Sequence, residues 1–64
     1  MEPYQERVVE EKKELALKID KLANFMNGPG FNQVLQMEQH RMRVQHAAMM
    51  TYLLALAARI AAFS

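Results

Sequence analysis

The sequence predicts an all-α protein, an antiparallel two-helix hairpin that assembles into a homo-oligomeric helical bundle. A single break, Asn27-Gly28-Pro29-Gly30, divides the chain, because two glycines around a proline cannot continue a helix. On both sides of this break, apolar residues recur at helical spacing without strand-like alternation. The chain has 64 residues, of which 52% are hydrophobic, and a lone hairpin of that length has little interior to hold them. Residues 1–64 are therefore expected to form a single hairpin that buries further surface by assembly.

The first helix is expected over about residues 3–27. Pro3 suits the first helical position, and Glu2 and Glu6 favour the positive end of the helix dipole. The apolar residues follow steps of four, seven, four, three and four, a heptad pattern that buries one face: Tyr4, Val8, Leu15, Ile19, Leu22 and Met26. Gly28 suits the left-handed residue that often follows a helix, and residues 28–31 are expected to form a Gly-Pro-Gly turn.

The second helix is expected over about residues 33–63, with Asn32 as its N-cap. One side of it, here called the large-residue face, holds bulky residues in alternating steps of four and three: Met42, His46, Met49, Leu53, Leu56, Ile60 and Phe63. The opposite side, here called the small-residue face, has the same kind of spacing: Ala48, Thr51, Ala55, Ala58 and Ala62. A hairpin covers one side of a helix, so the large-residue face is expected to pack on the first helix.

The small-residue face is expected to be the interface between copies of the chain. Small residues let two helix backbones approach closely, and Leu54 and Met50 widen the apolar surface beside them. An exposed patch of this extent usually marks an interface, and we expect more than two copies to assemble. The alternative is that the alanines simply favour helix and remain in solvent.

Charge and hydropathy exclude several classes of function. A net charge of +1 is small for a domain that binds duplex nucleic acid. Residues 47–63 are almost entirely hydrophobic, but Thr51 and Arg59 interrupt them and many are alanines, which favours a buried helix over a membrane span. The acidic N-terminus does not resemble a signal peptide, and the lack of cysteine is compatible with a reducing cytoplasm.

The residues that usually carry catalysis or bind metals are sparse. Serine occurs only as Ser64 and cysteine not at all, so the common nucleophiles are missing. His40 and His46 are six residues apart and point to different sides of the helix, which gives no metal-binding pair. No glycine-rich loop is followed by Lys-Ser or Lys-Thr, so Gly28-Pro29-Gly30 is expected to be a turn and not a phosphate-binding loop. We therefore expect neither an enzyme nor a bound metal or cofactor.

A polar edge on the second helix is the one candidate for ligand binding. Its residues fall within about 40° of one another on the helical wheel: Arg41, Gln45, Tyr52 and Arg59. In a hairpin centred near residue 30, Arg7 is expected level with Tyr52, and Tyr4 near Arg59 and Leu56. Arginine matches the geometry of phosphate and tyrosine offers a stacking face. The alternative is an ordinary amphipathic border of side chains that reach toward solvent.

The residues of this hairpin resemble a family of short bacteriophage proteins that was first named from crAss-like phages. The resemblance is a register of positions over nearly the whole chain, with a short Gly/Pro loop in the middle. It consists of Tyr4, Arg7-Val8, Glu11-Lys12, Glu14-Leu15, Lys18-Ile19, Lys21-Leu22, Phe25, Phe31, Leu35, Glu38-Gln39, Arg41-Met42, Gln45, Met49, Tyr52, Leu56, Arg59-Ile60 and Phe63.

These proteins also look similar to the helical hairpins of phage anti-defence sponges, which sequester the cyclic nucleotide signals of CBASS or Thoeris immunity. The resemblance implies a non-catalytic oligomer in the cytoplasm of an infected bacterium, which binds a small nucleotide between subunits. The implied ligand-binding residues are Tyr4, Arg7, Arg41, Tyr52 and Arg59. The chain departs from the family at positions that tend to be acidic, which makes its second helix more apolar and favours a tighter assembly: Ala16-Leu17, Met37, Leu53-Leu54 and Ala57-Ala58.

Two other functions fit the same sequence. The apolar side of the second helix could bind a host defence protein or nuclease, which would make the chain a protein inhibitor or adaptor. The chain could also be a structural or membrane-associated accessory protein of the phage.

Overall fold

A computed structural model describes residues 1–63 and confirms the predicted helical hairpin. Helix α1 spans Pro3–Met26, a short 3₁₀ helix spans Pro29–Gln33, and helix α2 spans Gln36–Ala61. At the usual rise per residue, α1 and α2 are about 36 and 39 Å long. The hairpin is a thin rod that measures 46 × 15 × 13 Å. Ser64, the last residue of the predicted domain, lies outside the described residues.

Helix α1 begins as its first residues predict. Pro3 occupies the first turn, and Glu2 precedes it with extended backbone angles of φ −68° and ψ 152°. The Glu2 backbone N–H donates a hydrogen bond of 2.8 Å to Oε1 of Gln5. This bond satisfies one of the backbone donors that every helix N-terminus leaves without an intrahelical partner.

The large-residue face of α2 packs on the apolar face of α1, as predicted. Leu56 is 1% exposed and lies among three buried residues of α1: Val8, Leu15 and Ile19. Half-buried residues of α2 and the residues that follow it extend this core: Met49, Leu53, Ile60 and Phe63. Full burial of a leucine side chain contributes roughly 1.5–3 kcal/mol. The long hairpin is therefore held by a narrow apolar strip, in which Leu56 is the most completely buried residue.

The predicted left-handed conformation of Gly28 is wrong. Its backbone angles are φ −94° and ψ 173°, which is an extended conformation open to any residue. The helix ends instead with Asn27 in a right-handed conformation, and the Gly28 N–H donates to the Phe25 carbonyl at 3.1 Å. A Cβ atom added to Gly28 would lie 3.3 Å from the Asn24 carbonyl oxygen, so close approach of the backbone favours glycine here.

The predicted start of the second helix is also wrong. Asn32 was the expected N-cap, but Pro29–Gln33 forms a 3₁₀ helix and α2 begins at Gln36, with Leu35 as its N-cap residue. An N-cap at Asn32 would require the chain to turn directly into an α-helix. The chain instead continues through Val34 in an extended conformation, φ −78° and ψ 141°, which delays α2 by three residues.

A buried aromatic residue explains why the connection is longer than predicted. Phe31 is 6% exposed, and its ring meets that of Phe25 edge-to-face with centroids 6.2 Å apart. The Gln39 side-chain amide donates to the carbonyls of Phe31, at 3.0 Å, and Val34, at 2.8 Å. The loop therefore folds back onto the end of the hairpin, because burial of Phe31 offsets the cost of ordering these residues.

The small-residue face lies on the outside of the single hairpin. All five of its residues are exposed: Ala48, Thr51, Ala55, Ala58 and Ala62. The Thr51 hydroxyl donates to the Ala47 carbonyl at 3.2 Å, so its polar group is satisfied within the helix. Within the described part of the chain, neither helix combines the length and apolar character that a membrane span requires.

Candidate ligand-binding edge

The five predicted ligand-binding residues all lie on the surface. Tyr4 is 51% exposed and Tyr52 is 44% exposed, and the three arginines are exposed as well. Half-exposed tyrosine rings can offer one face to an aromatic ligand while the other contacts the protein. The edge is therefore accessible along its length, and what it can bind depends on which residues the hairpin brings together.

The aromatic rings of Tyr4 and Phe63 meet at the open end of the hairpin. Their ring centroids lie 5.9 Å apart at an interplanar angle of 80°. The expected register placed Tyr4 near Leu56 and Arg59, whereas its ring meets Phe63, four residues beyond Arg59 and seven beyond Leu56. The late start of α2 explains the difference, since the loop takes up residues that the predicted helix would have used.

The Tyr4–Phe63 contact places Arg7 and Arg59 near the same end of the hairpin. Arg7 lies three residues from Tyr4, and Arg59 lies four residues from Phe63. Arg7 had been expected level with Tyr52, which lies seven residues, or about 10 Å, from Arg59 on the side toward the loop. The open end of the hairpin thus carries two exposed arginines, with Tyr4 beside them and Tyr52 two turns away.

Arg41 is separate from this group. It lies 18 residues from Arg59 on the same helix, which is about 27 Å along the axis. Its Nε donates to the Glu38 carboxylate at 2.7 Å, in an ion pair whose two side chains are 63% and 50% exposed. Exposed ion pairs of this kind contribute about 0–1 kcal/mol. A single hairpin therefore does not bring Arg41 and the open-end residues into one site.

The open-end arginines are available to an external anion. Within residues 1–63 the Arg41–Glu38 contact is the one ion pair, so Arg7 and Arg59 have no carboxylate partner there. A guanidinium group donates two parallel hydrogen bonds to a phosphate, and a nearby tyrosine ring can stack on an attached base. Residues 1–63 enclose no pocket, so a ligand on this edge would rest on an open surface of the single chain.

A second cluster of arginine and aromatic rings was missed by the sequence analysis. The Arg43 guanidinium carbon lies 5.1 Å from the centroid of the Phe31 ring, which also contacts Phe25. A cation over an aromatic face contributes about 0.5–1 kcal/mol at an exposed site. The sequence signal was Phe31 itself, a large apolar residue within a Gly/Pro/Asn loop. Because this ring is buried beneath Arg43, the cluster serves to hold the loop.

The predicted interface residues are accessible in the single hairpin. Leu54 is 66% exposed, and all residues of the small-residue face are exposed with it. Val44, which the sequence analysis did not single out, is 55% exposed and extends this surface toward the loop. Among the described residues, no group of three histidine, aspartate or glutamate side chains is placed to hold a metal ion.

Comparison with known proteins identifies one family. No curated protein and no solved structure shows significant similarity to the chain. The model of the family Sequestin matches residues 2–62, which include both helices and the loop between them. This match covers the positions on which the family resemblance rests and gives the family a name. Since nearly the whole chain is matched, the protein belongs to the Sequestin family.

Proposed function

We propose that the protein is a non-catalytic phage anti-defence protein that binds and sequesters a small cyclic nucleotide signal in an oligomeric helical assembly. The observation that carries this proposal is the exposed edge of Tyr52 and Arg59, two turns apart on α2, with Arg7 near the same end of the hairpin as Arg59. The family name, Sequestin, supports sequestration over catalysis. The proposed place of action is the cytoplasm of the infected host.

The chemistry of the edge suits a nucleotide better than a simple anion. The arginines supply charge-assisted hydrogen bonds to phosphate, and the tyrosines supply flat apolar surface for a base. A binder that holds its ligand without transforming it needs these contacts and no nucleophile. Stacking and charge pairing together also distinguish a nucleotide from inorganic phosphate, which can use only the arginines.

Titration calorimetry against cyclic di- and trinucleotides and cyclic ADP-ribose isomers tests this function. We expect one class of ligand to bind, and we expect Arg59→Ala and Tyr52→Ala each to weaken binding while the mass of the assembly is unchanged. Arg59→Lys keeps the charge but loses the planar fork, so it should bind less well than the unmodified chain. Lys13→Ala removes an exposed positive charge from α1, away from the Tyr52–Arg59 edge of α2, and is the matched control that should leave binding unchanged.

Two results would count against nucleotide sequestration. One is the absence of binding across a panel that includes the signal of the relevant defence system. The other is loss of assembly in the Arg59 and Tyr52 variants, which would show that both residues stabilise the structure and are not ligand-binding residues. The absorbance ratio at 260 and 280 nm gives a rapid first reading, because the chain has no tryptophan and two tyrosines.

The exposed apolar side of α2 favours a second candidate function. A helix face that carries Leu54 and Val44 in solvent could bind a host defence protein or nuclease and inhibit it. This function predicts a stable heteromeric complex in pull-down experiments and no ligand in calorimetry. It also predicts that Leu54→Glu abolishes the complex while Arg59→Ala does not.

A further inference from the structure

We infer that the small-residue face of α2 binds the same face of a second copy, in an antiparallel pair centred on Ala55. The inference concerns the partner and geometry of the assembly. It stands on the hairpin surface and does not require that a nucleotide binds. Only its last consequence, a shared binding edge, rests on the proposed function.

The exposed area of the single hairpin is the first reason. Folded monomers of 7.4 kDa expose about 4,200 Å² according to the usual scaling with mass. This chain exposes 4952 Å². The difference of about 750 Å² is close to the roughly 800 Å² that each partner buries in a standard protein interface. One copy therefore has an excess of surface of the size that one partner would cover.

The chemistry of the face indicates a second copy as that partner. Between residues 44 and 62 the only Lys, Arg, Asp or Glu is Arg59, which lies at the border of the face. Two such faces can meet without removing an unpaired charge from water, which would be costly. The outer side of α1, in contrast, carries exposed charges that include Glu10, Lys13 and Asp20. A pairing of α2 with α2 is thus favoured over a pairing of α2 with α1.

The spacing of the small residues makes the face complementary to itself. In an antiparallel pair centred on Ala55, Ala48 faces Ala62 of the other copy, and Thr51 lies level with Ala58 or Arg59. Each of these contacts between the two copies then joins small side chains, or places the long Arg59 side chain at the border of the small-residue face. Helix axes can approach to about 8 Å where the side chains between them are small. Bulk at Ala55 would separate both helices at the centre of the pair.

The ends of the face favour antiparallel over parallel packing. The apolar surface covers the C-terminal part of α2, and toward the loop it gives way to exposed His40 and Arg41. A parallel pair would bring each of these polar residues level with its own counterpart. An antiparallel pair centred on Ala55 leaves them beyond the overlap, in solvent. Opposed helix dipoles add a small further preference for the antiparallel arrangement.

The antiparallel pair brings the ligand-binding edges of two copies together. A two-fold axis perpendicular to both helices keeps the Tyr52 and Arg59 borders on the same side of the pair. With Ala55 at the centre, Arg59 of one copy lies within about one residue, or roughly 1.5 Å, of the level of Tyr52 of the other. The pair therefore forms a groove with two Arg–Tyr combinations, whereas a single copy offers an open edge.

Measurement of mass by native mass spectrometry and sedimentation, at micromolar concentration, tests the pairing. We expect an even number of copies for the unmodified chain and a shift to monomer for Ala55→Leu. Asn24→Leu, which adds the same side chain to an exposed position of α1, is the control and should leave the mass unchanged. A monomeric or odd-numbered unmodified chain would overturn the inference, and so would an unchanged mass for Ala55→Leu.

Disulfide trapping tests the direction of packing, and the cysteine-free chain suits it. Chains that carry Ala48→Cys should form a disulfide with chains that carry Ala62→Cys, because these positions face each other. The Ala48→Cys chain alone should not cross-link, since a disulfide needs Cα atoms about 4.4–6.8 Å apart. Efficient cross-linking of Ala48→Cys with itself would show parallel packing and refute the inference. An assembled chain that binds no nucleotide would refute only the proposed function.

Discussion

Replacement of Leu56 by alanine is expected to remove most of the stability of the hairpin. Leu56 is 1% exposed and belongs to the same buried cluster as Val8, Leu15 and Ile19, so its truncation leaves a cavity in the core. Removal of three buried carbons costs about 2.4 kcal/mol in transfer free energy, at ~0.8 kcal/mol each. The residual cavity raises the cost toward the 2–5 kcal/mol that is typical of such changes.

That cost is large beside the stability available to a chain of this size. At about 0.05–0.15 kcal/mol per residue, 64 residues have roughly 3–10 kcal/mol in total. We therefore expect Leu56→Ala to lower the urea midpoint strongly or to abolish the helical signal at 25 °C. Circular dichroism at 222 nm, recorded at several protein concentrations, measures the free energy of unfolding and separates it from dissociation.

Leu17→Ala is the matched control for this measurement. The same atoms are removed from α1, but Leu17 is 62% exposed, so the free energy of unfolding should change by about 0.5 kcal/mol or less. A loss below about 1 kcal/mol for Leu56→Ala would refute the claim that this strip of contacts holds the hairpin together. Equal losses for the two variants would refute it as well.

Three further changes test the loop and the surface. Phe31→Ala should destabilise the hairpin by about 3 kcal/mol in urea denaturation, because the ring is buried against Phe25. Gly30→Ala should increase the free energy of unfolding by about 0.4–1 kcal/mol and so raise the melting temperature. The φ of Gly30 is not positive, and a new Cβ would meet the Phe25 ring at an ordinary distance of 3.4 Å. A lower melting temperature would contradict this expectation. Glu38→Gln should change the unfolding free energy by less than about 1 kcal/mol, because its ion pair with Arg41 is exposed. A larger effect would show that Arg41 has a structural role.

The regular parts of the fold were predictable because they depend on local spacing. The heptad steps from Tyr4 to Met26 and from Met42 to Phe63 specify two helices and the faces by which they pack. Pro3 specifies where α1 begins. These signals lie within a few residues of one another, so they can be read without knowledge of distant contacts.

The loop could not be predicted in the same way. Burial of Phe31 depends on Phe25 and on the side-chain amide of Gln39, which come from the two helices. No periodic pattern in the loop records these contacts. The three-residue delay of α2 changed how α1 and α2 meet, so Tyr4, which was expected near Leu56, contacts Phe63 instead. The composition of the candidate site was therefore easier to predict than its arrangement.

The narrow core has a consequence for how the protein responds to its own abundance. Five hydrophobic side chains are buried in the described chain, and four of them form the strip around Leu56. If copies pair through α2 as proposed, folding and pairing are coupled by mass action, and the melting temperature would rise with protein concentration. Dilution would then expose the chain to proteases as unfolded monomer. The supply of folded protein would consequently rise more steeply than the rate of its synthesis.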